Sequence, residues 1–465
     1  MGVKRRNVLI LGAGLSGLGA AWHISENMPE ANIQIVEKLQ CVGGLSMTPV
    51  LEGKYHLDFG PHFLTVETEE LMRKIGNIMG DDLVTMNRHC LLYFDNRYIS
   101  YPPSPKNILF ELGMKNAVLS TASYINSRIF YPKKFRNFED WSRYNFGAYL
   151  YSIFFKPYTE SFWGIPCTQL ASKWADARIS KMSFIKTVLN VFLKSVKNTS
   201  IKRDTLPMYY PKKGIGNIAE NIARHIIKKN SNISVKTGSI VKKVRINKKD
   251  SGKDSRFEIV CSEDGEERTY HADALISTIP ITQFVNMLEA KPQKEVLNAA
   301  RKLRFRSLIV MYLVTKKHDL LNAQYVYYHG RSYHRLTETE KLSKELCPEG
   351  ENMLCIEKSC FAEDDVWRYS KEQLFEMFIK DLEKDNVLRK EDVMKSFVIK
   401  EECVYPVYEC DYDIPLKKIE DYFKNISYLK HVGRPGSFLY LDMDQSLERS
   451  FNIAEEMIKE LRVRH

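Results

Sequence analysis

The stretch NVLILGAGLSGLGAAWHISE, Asn7 to Glu26, constrains the fold more than any other part of the chain. Val8 to Leu11 form an unbroken apolar run of the length of a buried strand. Gly12, Gly14 and Gly17 follow in GxGxxG order, and a helical pattern continues from there. The first glycine makes a tight turn, the second lets backbone approach a pyrophosphate, and the third lets helix pack on strand. Leu15 and Ser16 stand at the helix N-terminus, whose amide groups suit an anion. A second strand, Ile33 to Val36, ends in Glu37, twenty residues after Gly17 and followed by Lys38. An acid at that place holds ribose hydroxyls. The unit is therefore a dinucleotide-binding strand, turn, helix and strand, and this much does not separate one dinucleotide from another.

A chain of 465 residues has room for two or three domains and a large core. Its net charge of +11 includes the pairs Lys212/Lys213, Lys228/Lys229, Lys242/Lys243 and Lys248/Lys249. These fall at predicted helix ends and turns, not on one face between aromatic platforms, so a solvated basic surface is expected and not a nucleic-acid partner. A small anionic substrate or an anionic membrane surface is the better use of the charge. The nine cysteines are scattered without a CxxC pair, so neither a metal site nor a disulfide framework is expected. With the first strand starting straight after MGVKRR, the expected location is the cytoplasm, a reducing compartment. In KMSFIKTVLNVFLKSVK, residues 181 to 197, Ile185, Val188, Leu189, Phe192 and Val196 form one helical stripe opposite Lys186, Lys194 and Lys197. Such a helix packs on its own domain or on a second subunit of a homodimer, with peripheral membrane contact as the alternative.

After Glu37 come Gly43 and Gly44, and then LEGKYHLDFGPH supplies Asp58, Gly60, Pro61 and His62. An acid, a glycine pair and a DxGxH run resemble the FAD-binding opening shared by amine oxidases, protoporphyrinogen oxidases and UDP-galactopyranose mutases. Leu45 and Ser46 stand where many members carry an arginine. The resemblance implies FAD as cofactor, with His62 beside the isoalloxazine, Val241 facing the adenine through its backbone, and Thr278 at the end of the strand in ADALISTIP. Gly433 and Arg434 resemble the Gly-Arg that packs on the flavin. FLYLDMDQ resembles the Tyr-x-Tyr-x-Asp-Met-x-Gln of the mutases, with Phe438 at the first tyrosine and Tyr440, Asp442, Met443 and Gln445 matching. Asp442 and Gln445 also have capping-box spacing, so a helix is expected to begin there. Its positive end would face the flavin N1 and C2 carbonyl.

PYTESFWGIPCTQLASKWADARIS resembles the substrate-domain run of the same mutases, which implies that Tyr158, Trp163 and Arg178 border the substrate. Arg335 and Glu338 in SYHRLTETEKLS resemble their Thr-Arg-Ile-x-Glu, whose arginine grips a diphosphate, and Tyr405 with Pro406 resembles the Tyr-Pro beside the sugar. Departures are Thr65 for a second histidine, Met182 for a second arginine, and no recognisable uridine-stacking segment before Gly214.

The expected fold is α/β: a Rossmann-like, doubly wound FAD-binding domain with a helical insertion and a sheet-based substrate domain. The FAD domain is expected in three parts, residues 1–100, 205–290 and 406–465, around the insertion at 101–204 and the substrate domain at 291–405. Three functions fit: an oxidoreductase acting on a sugar-containing anion, a redox-neutral isomerase of the mutase type, and an oxidase like protoporphyrinogen oxidase. In each, His62, Trp163, Arg335, Tyr405 and Tyr440 would surround the reacting atoms.

Overall fold

The computed structural model describes residues 5–94, 96–101, 114–178, 206–247 and 255–462. The amphipathic segment at 181–197, Met182 and the Lys248/Lys249 pair lie outside them.

The apolar run at the N-terminus becomes the middle strand of a five-stranded parallel sheet. The order is Leu429–His431, Ala274–Ser277, Asn7–Leu11, Asn32–Val36 and Ile233–Lys236. Val8 to Leu11 and Ala274 to Ser277 are buried without alternation, as expected of strands covered on both faces. Asn7–Leu11 and Asn32–Val36 pair directly, Leu9 opposite Gln34, and the helix Leu15–Asn27 joins them. Because later strands add on both sides of Asn7–Leu11, the order reverses there. In doubly wound sheets that reversal opens a crevice at the carboxyl ends of the strands.

The run SNISVKTGSIVKKVRI, residues 231–246, forms two elements. Ile233–Lys236 belongs to the parallel sheet, whereas Ser239–Ile246 starts an antiparallel meander with Phe257–Glu263 and Glu266–Ala272. Gly238, at φ +68°, turns the chain between them, a conformation open to glycine and costly for most residues.

The second large sheet has seven strands in the order Val393–Pro406, Phe305–Thr315, Asn352–Cys360, Arg335–Glu338, Tyr325–Tyr328, Cys90–Phe94 and Arg97–Tyr101. Residues 64 to 101 hold only one long helix, Glu69–Met79, before strands at Leu83–Met86, Cys90–Phe94 and Arg97–Tyr101. The last two form a hairpin whose turn holds Asn96 at φ 57°, and Cys90–Phe94 pairs parallel to Tyr325–Tyr328. The chain therefore enters this sheet before residue 100. Helices Met114–Phe130, Phe138–Phe146, Lys156–Trp163 and Ser172–Arg178 follow.

The helix Met443–Arg462 closes the fold against Leu15–Asn27. A Cβ on Gly19 would come within 2.2 Å of Ser450 Oγ and 3.1 Å of Leu447 Cδ2, so the missing side chain lets the first and last helices pack closely.

Candidate active site

Gly14 opens the first helix with no side-chain cap and no acid in the first turn, although Leu15, Ser16 and Gly17 are buried. A buried helix end without acceptors for its amides is a site that asks for an anion. The glycines around it have distinct tasks. A Cβ on Gly17 would lie 2.0 Å from Gly12 O, so this glycine is required by helix-to-turn packing. A Cβ on Gly14 would meet nothing closer than 3.7 Å, and Gly14 lines the cleft. Space there is kept for a ligand and not for protein atoms. The second pair completes the cradle. Gly43 N–H donates to Ala13 O at 2.9 Å, and a Cβ on Gly44 would press on Gly14 Cα at 3.1 Å.

Glu37 is buried, and its carboxylate accepts from Ala13 N–H at 2.7 Å and Leu39 N–H at 3.0 Å. Burial raises its pKa while the two amides oppose that rise. Two amides use about half of the lone-pair sites of a carboxylate, which leaves acceptors for a ribose diol. Ser239 N–H donates to Glu37 O at 2.8 Å and thereby places Val241 in the same cleft. Lys38 lines it too, held by Glu401 at 2.8 Å. Leu45, Ser46, His62, Thr278, Gly433, Arg434 and Met443 also line it.

We expect Gly14→Leu to abolish FAD retention while the apoprotein unfolds at an almost unchanged temperature, since the added side chain fills only ligand space. Glu37→Ala should weaken FAD by about 1 to 3 kcal/mol through lost hydrogen bonds. Flavin fluorescence on titration of apoprotein measures both, and wild-type affinity in either variant sinks the assignment of this cleft.

Beside the cleft stands an aromatic and cationic group. Tyr405 and Tyr440 stack at 5.5 Å, and the Arg434 guanidinium lies 5.4 Å and 4.8 Å from their centroids. Arg434 is fixed by donating through Nε and one terminal nitrogen to Leu441 O at 3.0 and 2.6 Å. Arg335 makes a two-point ion pair with Glu357, 2.5 and 2.9 Å, and donates to Pro61 O at 3.2 Å. Burial first, then Arg335 and Arg434, push the His62 pKa down to about 3, so its imidazole is neutral at physiological pH. A neutral ring there can accept or donate a hydrogen bond without adding charge.

Several expected residues sit elsewhere. Trp163 is buried between Phe162 and Trp174, and it is Phe162 that faces Tyr405 at 5.3 Å. Consecutive helical residues point about 100° apart, so one position decides which ring meets the site. Tyr158 meets Tyr327 edge-on at 6.2 Å, and Arg335 lies 5.9 Å from the Tyr327 centroid. Glu338 is not partnered with Arg335. It is fully buried and accepts from Leu320 N–H, Leu321 N–H and Asn352 Nδ2, all at 2.9 Å. On a strand, residues three apart face opposite sides, and the mutase-like spacing cannot bring this pair together. Arg178 ends the helix Ser172–Arg178; its side chain lies outside the described residues.

Gly17, Gly60, Pro61, Asp442 and Gln445 support the cleft without lining it. Gly60, at φ +70°, lies so near Glu357 that a Cβ would meet Oε2 at 3.1 Å. Gln445 Oε1 accepts from Asp442 N–H at 3.1 Å, one arm of the expected capping box, and the helix begins at Met443. Sequence reasoning passed over Glu357, although an acid inside the apolar strand NMLCIEKSC was a visible signal. It also passed over Phe162, Tyr327, Glu401 and Cys403. The last two come from the far sheet and carry no local mark.

Asp58 underlies the whole turn. It is buried and accepts from Thr48 Oγ1 at 2.5 Å, Tyr210 hydroxyl at 2.5 Å and Ile215 N–H at 3.0 Å. Three separated segments thus converge beneath His62. Tyr312 hydroxyl adds a bond to Asp58 O at 2.7 Å.

Comparison with known proteins agrees with this geometry. The family model described as flavin containing amine oxidoreductase matches residues 15–393. A probable FAD-binding monooxygenase, AlmA of Acinetobacter sp, is 28% identical over 155 residues, covering 30% of this chain and 31% of that protein. The crystal structure of reduced UDP-galactopyranose mutase superposes with a TM-score of 0.83 at 21% identity, over 98% of this chain and 96% of that one. A protein from Exiguobacterium sp. 255-15 named as a protoporphyrinogen oxidase gives 0.73 at 15% identity, covering 99% and 100%. At these identities the structural likeness is one of fold.

Proposed function

We propose that this chain, which belongs to the flavin containing amine oxidoreductase family and takes FAD as its cofactor, oxidises or reduces a sugar-containing anion such as a nucleotide- or lipid-linked sugar. Bound FAD supplies the acceptor or donor of a hydride, and the protein's part is binding, orientation and exclusion of water.

The observation that carries this reading is the stacked Tyr405 and Tyr440 under Arg434, which lines the cofactor cleft together with His62. Flat aromatic faces suit the C–H faces of a sugar ring, and their hydroxyls suit its polar rim. Arg434 and Arg335 supply the side that an anion requires. Arg335 brings Glu357 with it, so a substrate phosphate would share that guanidinium with a carboxylate. Tyr158, Phe162 and Tyr327 would form the opposite wall. The neutral His62 is suited to hold a proton or a hydroxyl near the reacting carbon.

A redox-neutral isomerase is the second reading, favoured by the likeness to reduced UDP-galactopyranose mutase over nearly the whole chain. An oxidase of protoporphyrinogen type is less well served, because a tetrapyrrole wants a wide apolar slot and these groups are polar or charged.

Calorimetric titration with UDP and nucleotide sugars, against protoporphyrinogen analogues, is the test. Binding confined to the porphyrin class overturns the sugar reading. Anaerobic mixing then separates the first two: an oxidoreductase bleaches its flavin on adding a reduced substrate, whereas an isomerase works only after prior reduction.

A further inference from the structure

The helix Met114–Phe130 is turned inside out. Its protein-facing side carries Ser120, Tyr124 and Ser127, all buried. Tyr149 fastens it by donating through N–H to Ser123 Oγ at 2.9 Å and through its hydroxyl to Asn116 Oδ1 at 2.7 Å. The outer side carries Val118, Leu119, Ile125, Ile129 and Phe130, which are 40% to 77% exposed. At 3.6 residues per turn these five and Ala122 share one arc of about 140°, interrupted by the exposed Asn126 and Lys115. Surface helices of water-soluble domains turn such an arc to the core and leave polar groups outside. An exposed stripe this rich in large apolar side chains marks a surface that something else covers.

Charge indicates what covers it. From Met114 to Arg136 there is no Asp or Glu, and Lys115, Arg128, Lys133, Lys134 and Arg136 are all basic. Arg128 is spent on the Tyr144 ring at 4.2 Å and Arg136 on Asp411 at 3.3 Å. Lys115 is exposed on the arc itself, and the exposed Lys133 and Lys134 follow Phe130 at its far end. An apolar stripe rimmed by lysines at both ends is the pattern of a helix lying in the interface of an anionic bilayer. A second copy packed on the same stripe about a twofold axis would bring lysines of one copy toward lysines of the other, whichever way the helices run.

We propose that the outer face of this helix docks the enzyme on an anionic lipid surface, with the five apolar side chains in the acyl boundary and the three lysines among the headgroups. The attachment is peripheral. Among the described residues no helix is long and apolar enough to cross a membrane. The proposal is independent of the substrate reading above.

Flotation of the full chain loaded with FAD, using phosphatidylcholine vesicles with and without phosphatidylserine, tests it. The protein is expected to float with the mixed vesicles and to be released by salt. Lys133→Ala with Lys134→Ala should lower partitioning about fivefold per lysine, and Ile129→Ser with Phe130→Ser should abolish it. All four side chains are solvent-exposed, so flavin content should stay at the wild-type level and serves as the check on folding. Wild-type protein that stays at the bottom of the gradient, or serine variants that float like wild type, would overturn the proposal. So would a dimer in analytical ultracentrifugation that only the serine pair dissolves, which would identify a second copy as the cover.

Discussion

Asp58→Ala is expected to cost about 3 kcal/mol or more of folding stability, because the Thr48 hydroxyl, the Tyr210 hydroxyl and the Ile215 amide each lose a buried acceptor worth at least about 1 kcal/mol. All three donors converge on that one carboxylate. A loss of this size is a large share of the stability of an ordinary domain. Denaturant unfolding of the FAD-loaded protein measures it, and a loss below about 1 kcal/mol would show that the network relaxes easily. The ionisation of Asp58 adds a pH term. Burial is the main influence and pushes its pKa up to about 6 against three opposing hydrogen bonds, from 3.8 as the ordinary value. A raised carboxyl pKa means that the folded state holds a proton the unfolded state has released. Its contribution is complete below about pH 4 and is lost as pH rises through about 6, a swing of roughly 3 kcal/mol. Asp58→Asn stays uncharged, and the Tyr210 hydroxyl can turn to accept from the new amide. Stability of the asparagine variant relative to wild type should therefore rise between pH 4 and pH 7. A flat difference across that window would show the carboxyl to titrate normally.

Arg335→Ala is expected to destabilise the protein by about 3 to 5 kcal/mol, since it strands a buried Glu357 without its cation. Glu357 is buried and both of its oxygens are bonded to Arg335. The same change removes the donor to Pro61 O, which helps to place His62, so flavin content should fall as well. Activity lost in this variant could thus be mistaken for lost substrate grip. Arg335→Met combined with Glu357→Leu separates the two, because replacing a buried ion pair by apolar groups of similar size is often neutral or stabilising. The double variant should regain most of the stability while anion binding stays weak. Recovery of anion affinity together with stability would remove Arg335 from the substrate site. Thermal unfolding and calorimetric titration on the same samples give both readings.

The cofactor half of the protein is legible in the sequence. Gly12, Gly14, Gly17, Glu37, Gly43 and Gly44 lie within forty residues, and their tasks are local: a turn, a close approach, a helix end, an acid at a strand terminus. A ligand recognised by backbone amides imposes backbone requirements, and those show directly as glycines at fixed spacing. The C-terminal jaw at Gly433, Arg434 and Met443 was legible for the same reason, through its glycine turn and helix start.

The substrate half was decided by tertiary structure. Arg335 and Glu338 are near in sequence but on opposite faces of a strand, while the carboxylate that binds Arg335 comes from Glu357 on the neighbouring strand. Trp163 was the more conspicuous ring, yet helix phase turns Phe162 toward Tyr405 and buries the tryptophan. Asp58 read as part of a turn, and only the approach of Thr48, Tyr210 and Ile215 makes it a junction of distant segments. Where the backbone must bend and where it must admit a phosphate is written in the chain, because those demands fall on single residues and their spacing. Which side chains meet across sheets and helices was settled only by the packed structure, because strand registry and helix phase choose one face over another for reasons that lie hundreds of residues away.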